Sequence, residues 1–146
     1  MRRSLVFALV CMVVVAGCGG GDDDTPAPQP RTPEAVAERV NSLIAAFLAM
    51  NYVEVCAQLA PKASEGLIRA AAEEGTETNE CSDAAAALYS DLPDVGSSEV
   101  PEVRASDVTL DESDSAVVDA PGPGGNSMTL VYEDGSWLAL SPLFTR

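Results

Sequence analysis

The chain contains no histidine and only one lysine, Lys62. The first absence removes the commonest general base and the commonest nitrogen ligand for transition metals. A Ser–His or Cys–His nucleophile goes with it. Basic residues are scarce altogether, 8 against 23 acidic ones, for a net charge of −15. A polyanion of this kind is repelled by nucleic acid and by anionic headgroups, so nucleic-acid binding is excluded. No apolar run reaches the ~20 residues that a membrane-spanning helix needs. Cysteine is limited to four residues, Cys11, Cys18, Cys56 and Cys81.

What is present begins with the leader. Arg2 and Arg3 form a positive start, Leu5 to Ala16 is continuously apolar, and small residues then lead to Cys18. This is the grammar of a secretory signal. A helix of about 12 residues spans only ~18 Å, short of a ~30 Å hydrocarbon core, which argues against an uncleaved membrane helix. An ordinary soluble secretory signal is the other alternative. Val15-Ala16-Gly17-Cys18 favours a third reading, because it resembles the lipobox of bacterial lipoprotein signals. The resemblance implies cleavage after residue 17 and a diacylglyceryl group on Cys18. Two acyl chains hold a protein stably on a membrane, where one holds marginally. The expected location is the extracytoplasmic face of the cell membrane, with lipid on Cys18. Loss of Arg2 and Arg3 with the leader would take the net charge from −15 to −17.

That location decides the cysteine arithmetic. Cys11 leaves with residues 1–17 and Cys18 is acylated, so Cys56 and Cys81 remain in an oxidising compartment. They are expected to form a disulfide, closing a loop of about 26 residues and stabilising by roughly 3.5 kcal/mol in the chain-entropy model. A thiol nucleophile would need a neighbouring base such as histidine.

Residues 18–31 read as the lipidated cysteine and a flexible tether. Gly19 to Gly21 is loose, Asp22 to Asp24 is solvated, and Pro26, Pro28 and Pro30 favour an extended form. The aspartates lack the turn glycine and bidentate glutamate of a calcium loop. No metal and no cofactor is expected.

Residues 32–146 read as a single α+β domain. Thr32 suits a helix cap, Pro33 the first helical position and Glu34 the positive helix end. Val36, Val40, Leu43, Ile44, Phe47 and Leu48 recur at helical spacing, predicting a helix over 33–50. Further helices are expected at Tyr52 to Leu59, at 62–74 stopped by Gly75, and from Cys81 to Leu92 before Pro93. After a Pro/Gly/Ser-rich stretch ending at Pro101, alternation replaces helical spacing. Strands are expected at Val103 to Leu110, Ala116 to Ala120, Met128 to Glu133 and Trp137 to Leu140. Asp134-Gly135 is the strongest turn signal, a two-residue hairpin. Short turns between consecutive strands make a four-stranded antiparallel sheet with the helices packed on it.

Several stretches resemble a known group. Ala49-Met50-Asn51-Tyr52, Val55 to Pro61, the helix-opening Cys81 and the hairpin Leu130 to Trp137 are similar to small actinobacterial lipoproteins. The scarcity of lysine against arginine fits such a high-GC source. These proteins belong to the nuclear-transport-factor-two-like, or cystatin-like cone, superfamily. The resemblance covers about residues 33–144 and implies a curved sheet and helices enclosing a cone-shaped cavity. Tyr52, Tyr132 and Trp137 are then candidate cavity or rim residues, against a reading as packing residues with polar tips at the surface.

The superfamily's enzymes, such as ketosteroid isomerases, aim an Asp with a Tyr or His into the cone. Here Tyr52, Tyr89, Tyr132, Asp107 and Asp119 match no such motif. The first expectation is therefore a non-enzymatic, lipid-anchored module binding a small apolar ligand or an envelope protein. The second is a small isomerase or hydrolase with a buried carboxylate base. The third is a structural accessory that forms a homodimer through its open sheet face.

Overall fold

A computed structural model describes residues 27–90, 102–119 and 127–141. The expected leader, Cys18, most of the tether, the end of the fourth helix at Leu92, the 91–101 stretch and the Pro121 to Asn126 loop lie outside the described residues. The fold is α+β: helices come first and a four-stranded antiparallel sheet follows.

Helix α1 spans Pro33–Leu48. The Thr32 hydroxyl accepts the Ala35 N–H at 3.3 Å and caps it. Val36, Ala37, Val40, Leu43 and Ala46 form its buried stripe. The chain leaves α1 through Met50, whose φ of 54° is left-handed. Asn51 then caps α2 (Tyr52–Ala57) by accepting the Glu54 N–H at 3.3 Å. Helix α3 spans Pro61–Glu73, begins on proline and ends just before Gly75, whose φ of 92° suits a residue without a Cβ. Helix α4 spans Cys81–Tyr89. Ala71, Ala84 and Ala85 are fully buried, and these small side chains let α3 and α4 pack closely.

The strands are β1 (Val108–Asp111), β2 (Ser115–Asp119), β3 (Ser127–Glu133) and β4 (Ser136–Ala139), paired in chain order. Register sets the faces. Leu110, Ala116, Leu130 and Ala139 lie opposite one another across the four strands, and so do Asp111, Ser115, Val131 and Leu138. One face carries the buried Ala116, Val118, Met128, Leu130, Trp137 and Ala139 against the helices. Residues of opposite parity, including Val117, Thr129, Val131 and Leu138, belong to the other face. Trp137 is the largest fully buried side chain, with Leu43, Leu130, Val36 and Val40 beside it in the core.

Besides helix ends that fall one or two residues early, at Leu48 in α1 and Ala57 in α2, two features depart from the sequence reading. The expected strand from Val103 begins only at Val108, because Ala105–Asp107 forms a 3-10 turn. Asp107 accepts the Arg104 N–H at 2.8 Å and stabilises that turn. The second feature is an added strand-like contact. Ala139 N–H donates to the Gln58 carbonyl at 2.9 Å, and Ala60 N–H donates to the Ala139 carbonyl at 2.8 Å. The link between α2 and α3 thus pairs with the outer edge of β4 through a parallel bridge at Leu59. Backbone groups on that edge gain partners without a fifth strand.

Candidate functional site

The end of the expected tether is bound to the sheet. Pro28 to Arg31 lie across the β3–β4 hairpin as a strap. Gln29 N–H donates to the Gly135 carbonyl at 2.7 Å. The Trp137 backbone N–H donates to Gln29 Oε1 at 2.9 Å. The Tyr132 hydroxyl donates to the Gln29 carbonyl at 2.6 Å, and the Trp137 indole N–H donates to the Pro30 carbonyl at 3.1 Å. Asp134 and Gly135 have φ of 49° and 83°, the geometry of the two-residue hairpin read from the sequence. A Cβ on Gly135 would also sit 3.3 Å from the Pro28 side chain, closer than ordinary van der Waals contact. Arg31 lies 4.4 Å above the Tyr132 ring and pairs with Asp114 at the β1–β2 turn. Thr32, the cap of α1, follows directly on this strap.

Tyr132 and Trp137 meet edge to face, with centroids 5.2 Å apart. Their polar tips face the strap and their bodies pack on the core, so both make the contacts of packing residues with satisfied polar ends. Tyr52 belongs to a different cluster. It stacks edgewise on Phe47 at 6.3 Å, and Phe47 in turn meets Tyr89 at 5.2 Å. The same end of the molecule holds the bond between Cys56 of α2 and Cys81 at the start of α4, with Cα atoms 6.0 Å apart. Asp107 is used in the 3-10 turn, and Asp119 is exposed at the end of β2.

Two open clefts flank α1. The smaller, about 220 Å³, lies between the strap and the helix and is lined by Gln29, Pro30, Ala35, Glu38, Arg39 and Ser42. The larger, about 400 Å³, lies between α1 and the 102–105 segment. Its wall is fixed by Asn41, whose amide donates to the Val103 carbonyl at 2.8 Å and accepts the Val103 N–H at 2.9 Å. That two-way bond imitates a strand partner.

Among the described residues, Arg39 is a charged group visibly affected by its surroundings. Burial lowers its pKa below the usual guanidinium value, and the negative Glu54 partly opposes this. Its Nε–H donates to the Trp137 carbonyl at 2.9 Å. Below it, Gln58 is the one buried polar side chain among the described residues. Its amide donates to Glu54 at 3.0 Å and to Ser42 at 3.3 Å, while its Oε1 has no partner. A water bridging to Oε1 would satisfy it, since neutral buried acceptors without partners cost about 1–3 kcal/mol. Neither the Asn41 clamp nor the Arg39–Gln58 cluster had a sequence signal. Asn41 meets Val103 and Arg39 meets Trp137 across long stretches of chain.

The described residues hold no group of three Asp, Glu, Cys or His placed to take a metal ion. Their helices include none long and apolar enough to cross a membrane. Compared with family models, curated proteins and solved structures, the chain matches none.

Proposed function

We propose that this chain is a lipid-anchored, extracytoplasmic binding or accessory module of the cell envelope, and that it performs no catalysis. The observation that carries the proposal is the cysteine pattern. Cys56 and Cys81 are bonded to each other, while Cys11 stands in a leader with secretory grammar and Cys18 directly follows it. A structural disulfide fits an oxidising compartment.

The strap supports the same reading. Pro28 follows Cys18 by ten positions, so an extended link reaches at most ~35 Å. The domain would hang from its β3–β4 hairpin, close to the lipid surface, while its acidity holds it off anionic headgroups. Helices followed by an antiparallel meander are also compatible with membership of the cone superfamily, which forms part of this proposal.

Mass spectrometry of the protein isolated from its native membrane is the test. The expected species begins at Cys18 and carries added acyl mass. A mature chain starting elsewhere, or an unmodified Cys18, would overturn the anchor.

A further inference from the structure

The face of the sheet turned away from the helices has a pattern that the binding reading does not use. Val117 and Leu140 are exposed by 39% and 38%, and Val131 and Leu138 are half-buried outside the core cluster. Register brings them together: Val117 lies opposite Thr129, Val131 lies opposite Leu138, and the Leu140 N–H donates to the Thr129 carbonyl at 2.9 Å. The result is an apolar patch of Val117, Val131, Leu138 and Leu140 grouped around Thr129, over β2, β3 and the end of β4. Asp111, Asp119 and Glu133 share this face by parity and are exposed around the patch. Strands β1–β4 contain no lysine or arginine.

Size and charge together select an occupant. Four strands at ~4.8 Å spacing and about five residues at ~3.4 Å give a face of roughly 300 Å². A stable interface between two copies needs about 800 Å² from each partner. A second copy would also set three carboxylates against three carboxylates, in a chain already carrying −15. An anionic lipid surface meets the same repulsion. A single helix, about 10 Å wide and some 12 residues long, fits the dimensions. We propose that this face docks an amphipathic helix of a partner protein whose apolar stripe is flanked by lysines or arginines. Leucines of that stripe would cover Val117, Val131, Leu138 and Leu140, and its cations would meet Asp111, Asp119 and Glu133. The inference rests on the chain being a binding module and is independent of lipid on Cys18.

The probe is a fluorescein-labelled helical peptide of leucine and lysine at i, i+3, i+4 spacing, titrated into the purified protein and followed by anisotropy. Val117→Lys should weaken binding about tenfold, the scale of one buried apolar side chain lost and one like-charge repulsion gained. Glu65→Gln on exposed α3 makes the same change in net charge on the helical side and should alter affinity less than about twofold. Val117→Thr keeps a β-branched residue and should fall between them, which guards against a folding defect in the lysine variant. Equal weakening by Val117→Lys and Glu65→Gln would show charge attraction without a site and overturn the proposal. So would absence of saturable binding, a stable dimer in analytical ultracentrifugation that Val117→Lys dissociates, or attachment of the unlipidated protein to anionic vesicles through this face. Loss of docking leaves the acyl-anchor test untouched, and the reverse holds.

Discussion

A chain beginning at Thr32 should fold but lose the cover over Trp137. The truncation removes four hydrogen bonds between the strap and the hairpin, at Gly135, Tyr132 and twice at Trp137. At a net ~1 kcal/mol each they contribute ~4 kcal/mol. The Arg31 ring contact adds ~0.5–1 kcal/mol, and the half-exposed Arg31–Asp114 pair adds almost nothing. Against this stands the entropy of ordering four residues. Two of them are prolines with φ already restricted, so the cost is ~3 kcal/mol rather than the upper ~8. The net loss is ~1–2 kcal/mol, or roughly 4–8 °C in Tm.

Trp137 is the only tryptophan, so its fluorescence reports the strap directly. Truncation should shift emission to longer wavelength and raise acrylamide quenching, with the helical circular dichroism retained. Unchanged emission and an unchanged Tm would refute the strap, because the indole N–H and the Trp137 backbone N–H would then have found equal partners elsewhere.

Two further outcomes follow from the packing. Replacing Cys56 and Cys81 by serine opens a loop with a sequence separation of 25 and should cost ~3.5 kcal/mol, read as the denaturant midpoint. Thiol labelling of the folded wild-type protein should find neither cysteine. Asn41→Ala should cost ~2 kcal/mol, because both Val103 backbone groups lose their partner; a midpoint within ~0.5 kcal/mol of wild type would mean that water replaces the amide.

Much of the fold was legible because its signals are local. Thr32-Pro33 marks the start of α1, Gly75 the end of α3 and Asp134-Gly135 the hairpin, and each acts through backbone dihedrals or a neighbouring N–H. The β1 boundary was misread because Val103 is apolar and its neighbours alternate. What decides that stretch is Asp107 closing a turn and Asn41 reaching across from α1. The strap was invisible for a related reason. Pro28, Gln29 and Pro30 have the composition of a solvated linker, and Gln29 becomes structural only where Gly135 and Trp137 present unpaired backbone groups.

By itself, the sequence determined the order of helices before strands, the antiparallel hairpins and the pairing of Cys56 with Cys81. Periodicity, charge and cysteine number are properties of the chain and survive without coordinates. The tertiary structure alone decided that Tyr132 and Trp137 lie under a strap while Tyr52 belongs to the Phe47–Tyr89 cluster. It also decided that Arg39 and Gln58 share one half-buried polar cluster. Those arrangements depend on backbone groups left open by long-range pairing, and no local pattern encodes which distant residue will satisfy them.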